Sequence, residues 1–165
     1  MADQPKNHPS DNRLRLRAED AEDLTVISAH LQDAVVAVAD IAFLPAENRL
    51  AMVLNRFCWE CAPQAESPAG PGSQRVLAGM CLDTVRGVKT LGIDRAKRGH
   101  LLELLSIRVL PKAPGGDAGG CVVELLFAGG QALRVTADRL ALRLEDLEEP
   151  YPTSWQPKHK LDEAP

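Results

Sequence analysis

The strongest constraint on this chain is that its apolar residues come in short runs that alternate with polar ones and end at Pro or Gly. In "NRLAMVLNRFCWE" (Asn48–Glu60), Leu50, Met52 and Leu54 fall on one side. Ala51, Val53, Asn55 and Phe57 fall on the other. A repeat of two becomes a single apolar face only in an extended strand. The preceding run "AVVAVADIAFL" (Ala34–Leu44) is β-branched and is joined to it by "PAEN", so the pair reads as an antiparallel hairpin. "RVLAGMCLD", "VRGVKTLGI" and "LLELLSIRVL" continue the strands. "CVVELLF" and "ALRVTA" flank "AGGQ", where Gly129 and Gly130 can take the positive φ of a tight hairpin.

Two segments break this rhythm. Leu24, Ile27 and Leu31 share one helical face behind Glu19, Asp20, Glu22 and Asp23, whose charges suit a helix N-terminus, so a helix is expected over Glu19–Leu31. "DRLALRLEDLEE" (Asp138–Glu149) places Leu140, Leu144 and Leu147 on one stripe and is expected to form a closing amphipathic helix. Hairpins without regular helical crossovers give an α+β domain. Its architecture is read as a mainly antiparallel curved sheet or partly open barrel, with a helix in the N-terminal half and another at the C-terminus. A pleckstrin-homology-like topology suits this order. A faint echo between "IAFLPAENRLAMVL" and "IRVLPKAPGGDAGGCVVELL" leaves two similar halves open.

The chain of 165 residues is the right length for one domain. Residues 1–12 are expected to be a disordered tail, 13–149 the domain with a flexible Pro/Gly loop at 62–74, and 150–165 an extended Pro-rich tail pinned by Tyr151 and Trp155. Only 4% of residues are aromatic, so Leu, Val, Ile and Ala must build the core. A balance of 19 basic against 23 acidic residues, net −4, points to neither nucleic acid nor a membrane as partner. No signal peptide and no long apolar span is read, so the expected location is the cytoplasm. There, four cysteines should stay reduced.

Candidate chemistry is sparse. Cys58 and Cys61 in "CWEC" have metal-ligand spacing, but no second pair completes a tetrahedral set, and Cys81 and Cys121 stand alone in separate apolar runs. On a continuing strand the two thiols point to opposite faces unless the chain turns at Trp59–Glu60. Glu60 also disfavours a reactive thiolate, so the spacing reads as coincidence. His8, His30, His100 and His159 are not spaced as ligands, and no nucleotide or nucleophile motif occurs. No metal and no cofactor is expected. Asn55, Arg56, Trp59 and Glu60 cluster at one strand end, a composition typical of interaction hot spots. They are the candidate binding residues, against the plainer reading of an Arg–Glu bridge over a Trp. The basic run Arg86, Lys89, Arg95, Lys97, Arg98 lacks interleaved aromatics and reads as a solvated loop.

"LRLRAEDAEDLTVISAHLQDAVV", "LNRFCWE", "FAGGQALRV" and "PYPTSWQPKHK", in that order, resemble the mainly alphaproteobacterial family known as domain of unknown function 2948. The resemblance implies a single-domain bacterial cytosolic protein with no established activity, from genes often found beside those of histidine biosynthesis. It brings no catalytic residues. Where Cys58 stands, the family pattern has a basic residue. The missing catalytic constellation, an Arg56 and a Trp59 expected to be exposed, and a Pro/aromatic tail suited to a groove make the leading expectation a non-catalytic protein-binding or regulatory module whose partner is another protein, a second copy included. The alternative is a small-ligand-binding protein or enzyme of metabolism, and RNA binding through the basic run is a third class.

Overall fold

The computed structural model describes residues 13–61, 73–111 and 119–153. Among these described residues, eleven strands and one α-helix follow each other as β1 (Arg15–Ala18), α1 (Ala21–His30), β2 (Val35–Ala37), β3 (Ile41–Leu44), β4 (Arg49–Phe57), β5 (Ser73–Leu82), β6 (Val85–Leu91), β7 (Leu101–Val109), β8 (Cys121–Phe127), β9 (Ala132–Ala137), β10 (Leu142–Asp146) and β11 (Tyr151–Thr153). The expected tail of residues 1–12 and Trp155 lie outside the described residues, as does most of the 62–74 loop. Ser73 and Gln74 already belong to β5, and Tyr151–Thr153 pairs with its first residues.

Helix α1 lies within the expected Glu19–Leu31 but starts two residues later, at Ala21, with Asp20 as its N-cap. The Asp20 side chain accepts a hydrogen bond from the Asp23 amide at 2.8 Å, satisfying one of the orphan donors of the first turn. Its inward residues Leu24 and Ile27, with Leu31 just beyond, are buried, and the helix packs on β7 and β1. The run Ala34–Leu44, expected as one strand, is broken by a 3-10 turn at Val38–Asp40. Both pieces pair with β4, Val35 opposite Asn55 and Ile41 opposite Met52, but the break lets β2 pair with β7 as well. The Ala128–Gly130 turn between β8 and β9 closes the predicted hairpin, with Gly129 and Gly130 at φ of 81° and 77°.

The second predicted helix is absent. Asp138–Glu149 instead supplies β10, flanked by irregular chain. Leu140, Leu142 and Leu144 are all buried, while Arg143 and Glu145, at alternate positions, are exposed. Leu147, which a helical stripe would bury, is 43% exposed. A repeat of two has overruled one of 3.6, because β10 fills the gap between β1 and β5 and satisfies the backbone groups of both.

Every pairing is antiparallel. The sheet runs β1-β10-β5-β4-β2-β7-β8-β9-β6, with β3 beside β4 and β11 beside β5, and it does not close. Bulges at Val85/Gly87 and Leu104/Ser106 increase its local twist. The protein is thus α+β, built on an open, mainly antiparallel curved sheet. Two three-stranded meanders, β3-β4-β5 and β7-β8-β9, exchange their following strands. β6 leaves β5 but pairs with β9, and β10 leaves β9 but pairs with β5. The two crossing connections are bonded to each other. The Asp83 backbone amide donates to the Ala141 carbonyl and the Asp138 amide to that of Thr84, both at 2.9 Å, and the Thr84 hydroxyl donates to the Arg139 carbonyl at 3.0 Å. One continuous apolar core spans both meanders and α1.

Candidate functional site

The end of β4 does gather the four residues that the sequence singled out, but it uses them internally. Alternation along β4 continues the inward series Leu50, Met52, Leu54 to Arg56, whose side chain is fully buried. A buried guanidinium needs paired acceptors. Asp146, the last residue of β10, provides a two-point fork, Nε to Oδ1 and Nη2 to Oδ2, each 2.8 Å. Glu60, one turn on, accepts from Nη1 at 3.0 Å and also from Nη2. Burial works against the Arg56 charge, but the hydrogen bonds from Asp146 and Glu60 outweigh it and raise its pKa above the ordinary guanidinium value. Glu60 responds in the opposite sense. Burial would raise its carboxyl, yet the Arg56 hydrogen bonds hold it below the usual carboxylate range. Asp146 extends the network by bonding Leu14 in both directions, its amide to the Leu14 carbonyl at 2.9 Å and its carboxylate from the Leu14 amide at 3.3 Å.

Asn55 faces the other side. Its carbonyl and its side-chain oxygen both accept from Arg75 Nη1 at 3.2 Å, and its amide bonds the Tyr151 hydroxyl. Trp59 donates from Nε1 to the Gln32 carbonyl just past α1 at 3.1 Å and packs against Phe57 with ring centres 4.4 Å apart. It is 45% exposed. Trp59 therefore retains an outward surface, whereas Arg56 has none to offer a partner.

The chain does turn at Trp59–Glu60, with the Cys61 amide on the Cys58 carbonyl at 3.3 Å. Cys58 and Cys61 are joined as a disulfide rather than left as unrelated reduced thiols. Cys81 on β5 and Cys121 on β8 are free of disulfides. Among the described residues, no group of three or more His, Cys, Asp or Glu side chains could hold a metal ion.

A second place was not legible in the sequence. A cavity of about 310 Å³ lies between the two meanders. The buried Leu50 of β4 and Leu133 of β9 line its inner end. Ile41 and Phe43 of β3 face Val88 and Thr90 of β6 around it, and Arg95 and Arg98, both exposed, stand at its open side. Their loop is well tied: the Val38 and Ala39 amides bond the His100 and Arg98 carbonyls at 3.0 and 2.9 Å, and Asp94 caps the Ala96 amide at 3.0 Å. Among the described residues no carboxylate forms an ion pair with Arg95 or Arg98. Arg86, from the same basic run, is instead forked onto Asp138. The lining comes from four strands, the 3-10 turn at Val38 and a loop, so only the two arginines left a sequence signal.

Together these features define an open antiparallel sheet protein with an internal ion-pair latch and an apolar cavity edged by cations. A family model described as "Protein of unknown function (DUF2948)" matches residues 14–159, and the chain belongs to that family. No curated protein and no solved structure matches it. Among the described residues no helix is long and apolar enough to cross a membrane.

Proposed function

We propose that this is a non-catalytic small-ligand-binding protein whose ligand pairs an apolar body with an anionic head. The observation that carries this reading is the cavity at the junction of the two meanders. Its volume falls at the lower end of the range of small-molecule sites, roughly 300–1,000 Å³. Its walls are apolar, and two arginines without ion-pair partners among the described residues stand at its edge. A carboxylate there would gain charge-assisted hydrogen bonds while its chain displaced water from Leu50 and Leu133. The exchanged strands also support reading the molecule as two similar halves, with the ligand between them.

Titration calorimetry with straight-chain carboxylates and the matching alcohols tests this. We expect the acids to bind more tightly than the alcohols, with affinity rising with chain length until the cavity is full. Arg95→Ala with Arg98→Ala should cost about tenfold or more, the value of roughly one charge-assisted bond. Val88→Trp should fill the space and abolish binding. If no acid binds, or the arginine variants bind equally well, the reading fails.

The half-exposed Trp59 favours a second reading, docking of another protein at the turn after β4. In a pull-down, that reading requires Trp59→Ala to lose a partner that Arg95→Ala retains.

A further inference from the structure

We propose that the Cys58–Cys61 disulfide is a redox-active site that exchanges with dithiols and holds the α1–β4 junction closed only while oxidised. The bond encloses two residues, and both do structural duty elsewhere. Glu60 gives Arg56 its second carboxylate, and Oε2 lies 3.5 Å from His30 Nδ1 near the end of α1. Trp59 donates to the Gln32 carbonyl just beyond that helix. Cys58 is itself fixed by its amide on the Gln74 carbonyl at 2.8 Å. The covalent bond therefore pins a four-residue turn that joins β4 to the helix end and holds Glu60 on the buried Arg56. A turn of this kind shares the Cys-x-x-Cys spacing on which thiol–disulfide exchange operates, where closure of the second thiol is intramolecular.

Cys58 is buried while Cys61 is half-buried, so the attack falls on the Cys61 sulfur. A thiolate of the dithiol forms a bond to Cys61 Sγ, the Sγ–Sγ bond breaks, and its electron pair leaves on Cys58 Sγ. The second thiolate of the reagent then closes on its own mixed-disulfide sulfur and releases Cys61. Two electrons pass to the protein, the dithiol becomes a cyclic disulfide, and the dithiol's two protons end on the two cysteines. With the bond open, the turn no longer forces Glu60 onto Arg56 or Trp59 onto Gln32.

The test uses the full chain and dithiothreitol as the dithiol probe. Trp155→Phe leaves Trp59 as the sole tryptophan. Protein equilibrated with oxidised glutathione and blocked with N-ethylmaleimide should carry no label on Cys58 or Cys61. After dithiothreitol both should be labelled, Trp59 emission should change with the same midpoint, and Tm should fall by about 5 °C, the effect of freeing a short closed loop. A monothiol at equal thiol concentration should lag behind, because the protein pair recloses. Cys58→Ser with Cys61→Ser should match the reduced protein and ignore the reagent, while Cys81→Ser with Cys121→Ser should respond normally. Label on both cysteines under oxidising conditions would overturn the proposal. So would opening of the bond without any change in Trp59 emission or Tm.

Discussion

At the scale of single residues, Arg56 dominates. A buried cation held by two carboxylates is costly to orphan: Arg56→Ala leaves Asp146 buried and uncompensated, and should cost about 3–5 kcal/mol in urea unfolding. Replacing both partners by apolar residues, Arg56→Met with Asp146→Leu, should recover most of that loss. Acid sensitivity follows from the same ion pairs. Burial notwithstanding, Arg56 lowers Glu60, and arginines likewise hold two other carboxylates down: Arg134 and Arg108 lower Glu124 against its burial, and the hydrogen bond from Arg86 lowers Asp138. A carboxyl whose folded pKa lies below its unfolded value adds stability above the unfolded pKa and loses it as pH falls through the folded one. Stability should therefore hold down to about pH 5 and drop below roughly pH 4. Denaturant midpoints measured across pH check this, and Glu60→Gln should flatten part of the decline. Beside Trp59 and Glu60, Arg56 reads in the sequence as an exposed hot spot, yet it continues the alternation that buries Leu54 and is itself buried. Its carboxylate Asp146, 90 residues away in the chain, left no sign in the sequence.

Among the elements, β10 is the informative one. Leu142→Ala should cost about 2–5 kcal/mol, because the residue is buried and its neighbours cannot collapse inward. Arg143→Ala on the exposed face should cost less than about 1 kcal/mol. A helix over the same residues would make Leu147 the sensitive position, so the rank of Leu142 against Leu147 in thermal unfolding distinguishes the two structures. The sequence allowed both because leucines at 140, 142, 144 and 147 satisfy either repeat; only the vacancy between β1 and β5 decides. Other elements left plainer marks. Asp20 caps a run with leucine and isoleucine at helical spacing, and two consecutive glycines sit between strands of matched alternation. The 3-10 break at Val38–Asp40 left no such mark, and neither did the cavity, whose lining residues meet only after the sheet has formed.

For the molecule as a whole, the exchange of β6 and β10 means that neither meander completes its own sheet. Cutting the chain at Gly99 would yield one fragment carrying β1–β6 and another carrying β7–β11, each missing a strand that the other holds. Neither fragment alone should unfold cooperatively, whereas the two expressed together should co-purify and regain the strand-rich circular dichroism of the intact chain. Folding of the intact chain must bring distant segments together before most contacts form, which slows it relative to helical domains of similar size. The outer limits of the sheet have a different consequence. The main strand order ends in β1, with Arg15 and Arg17 exposed, and in β6, with Arg86 and Lys89 exposed, while β3 and β11 each pair on one side only. Cations along β1 and β6 make those two strands poor templates for another molecule to add to rung by rung; β3, whose Phe43 and Leu44 are exposed, has no such charge and is the edge left open to self-association.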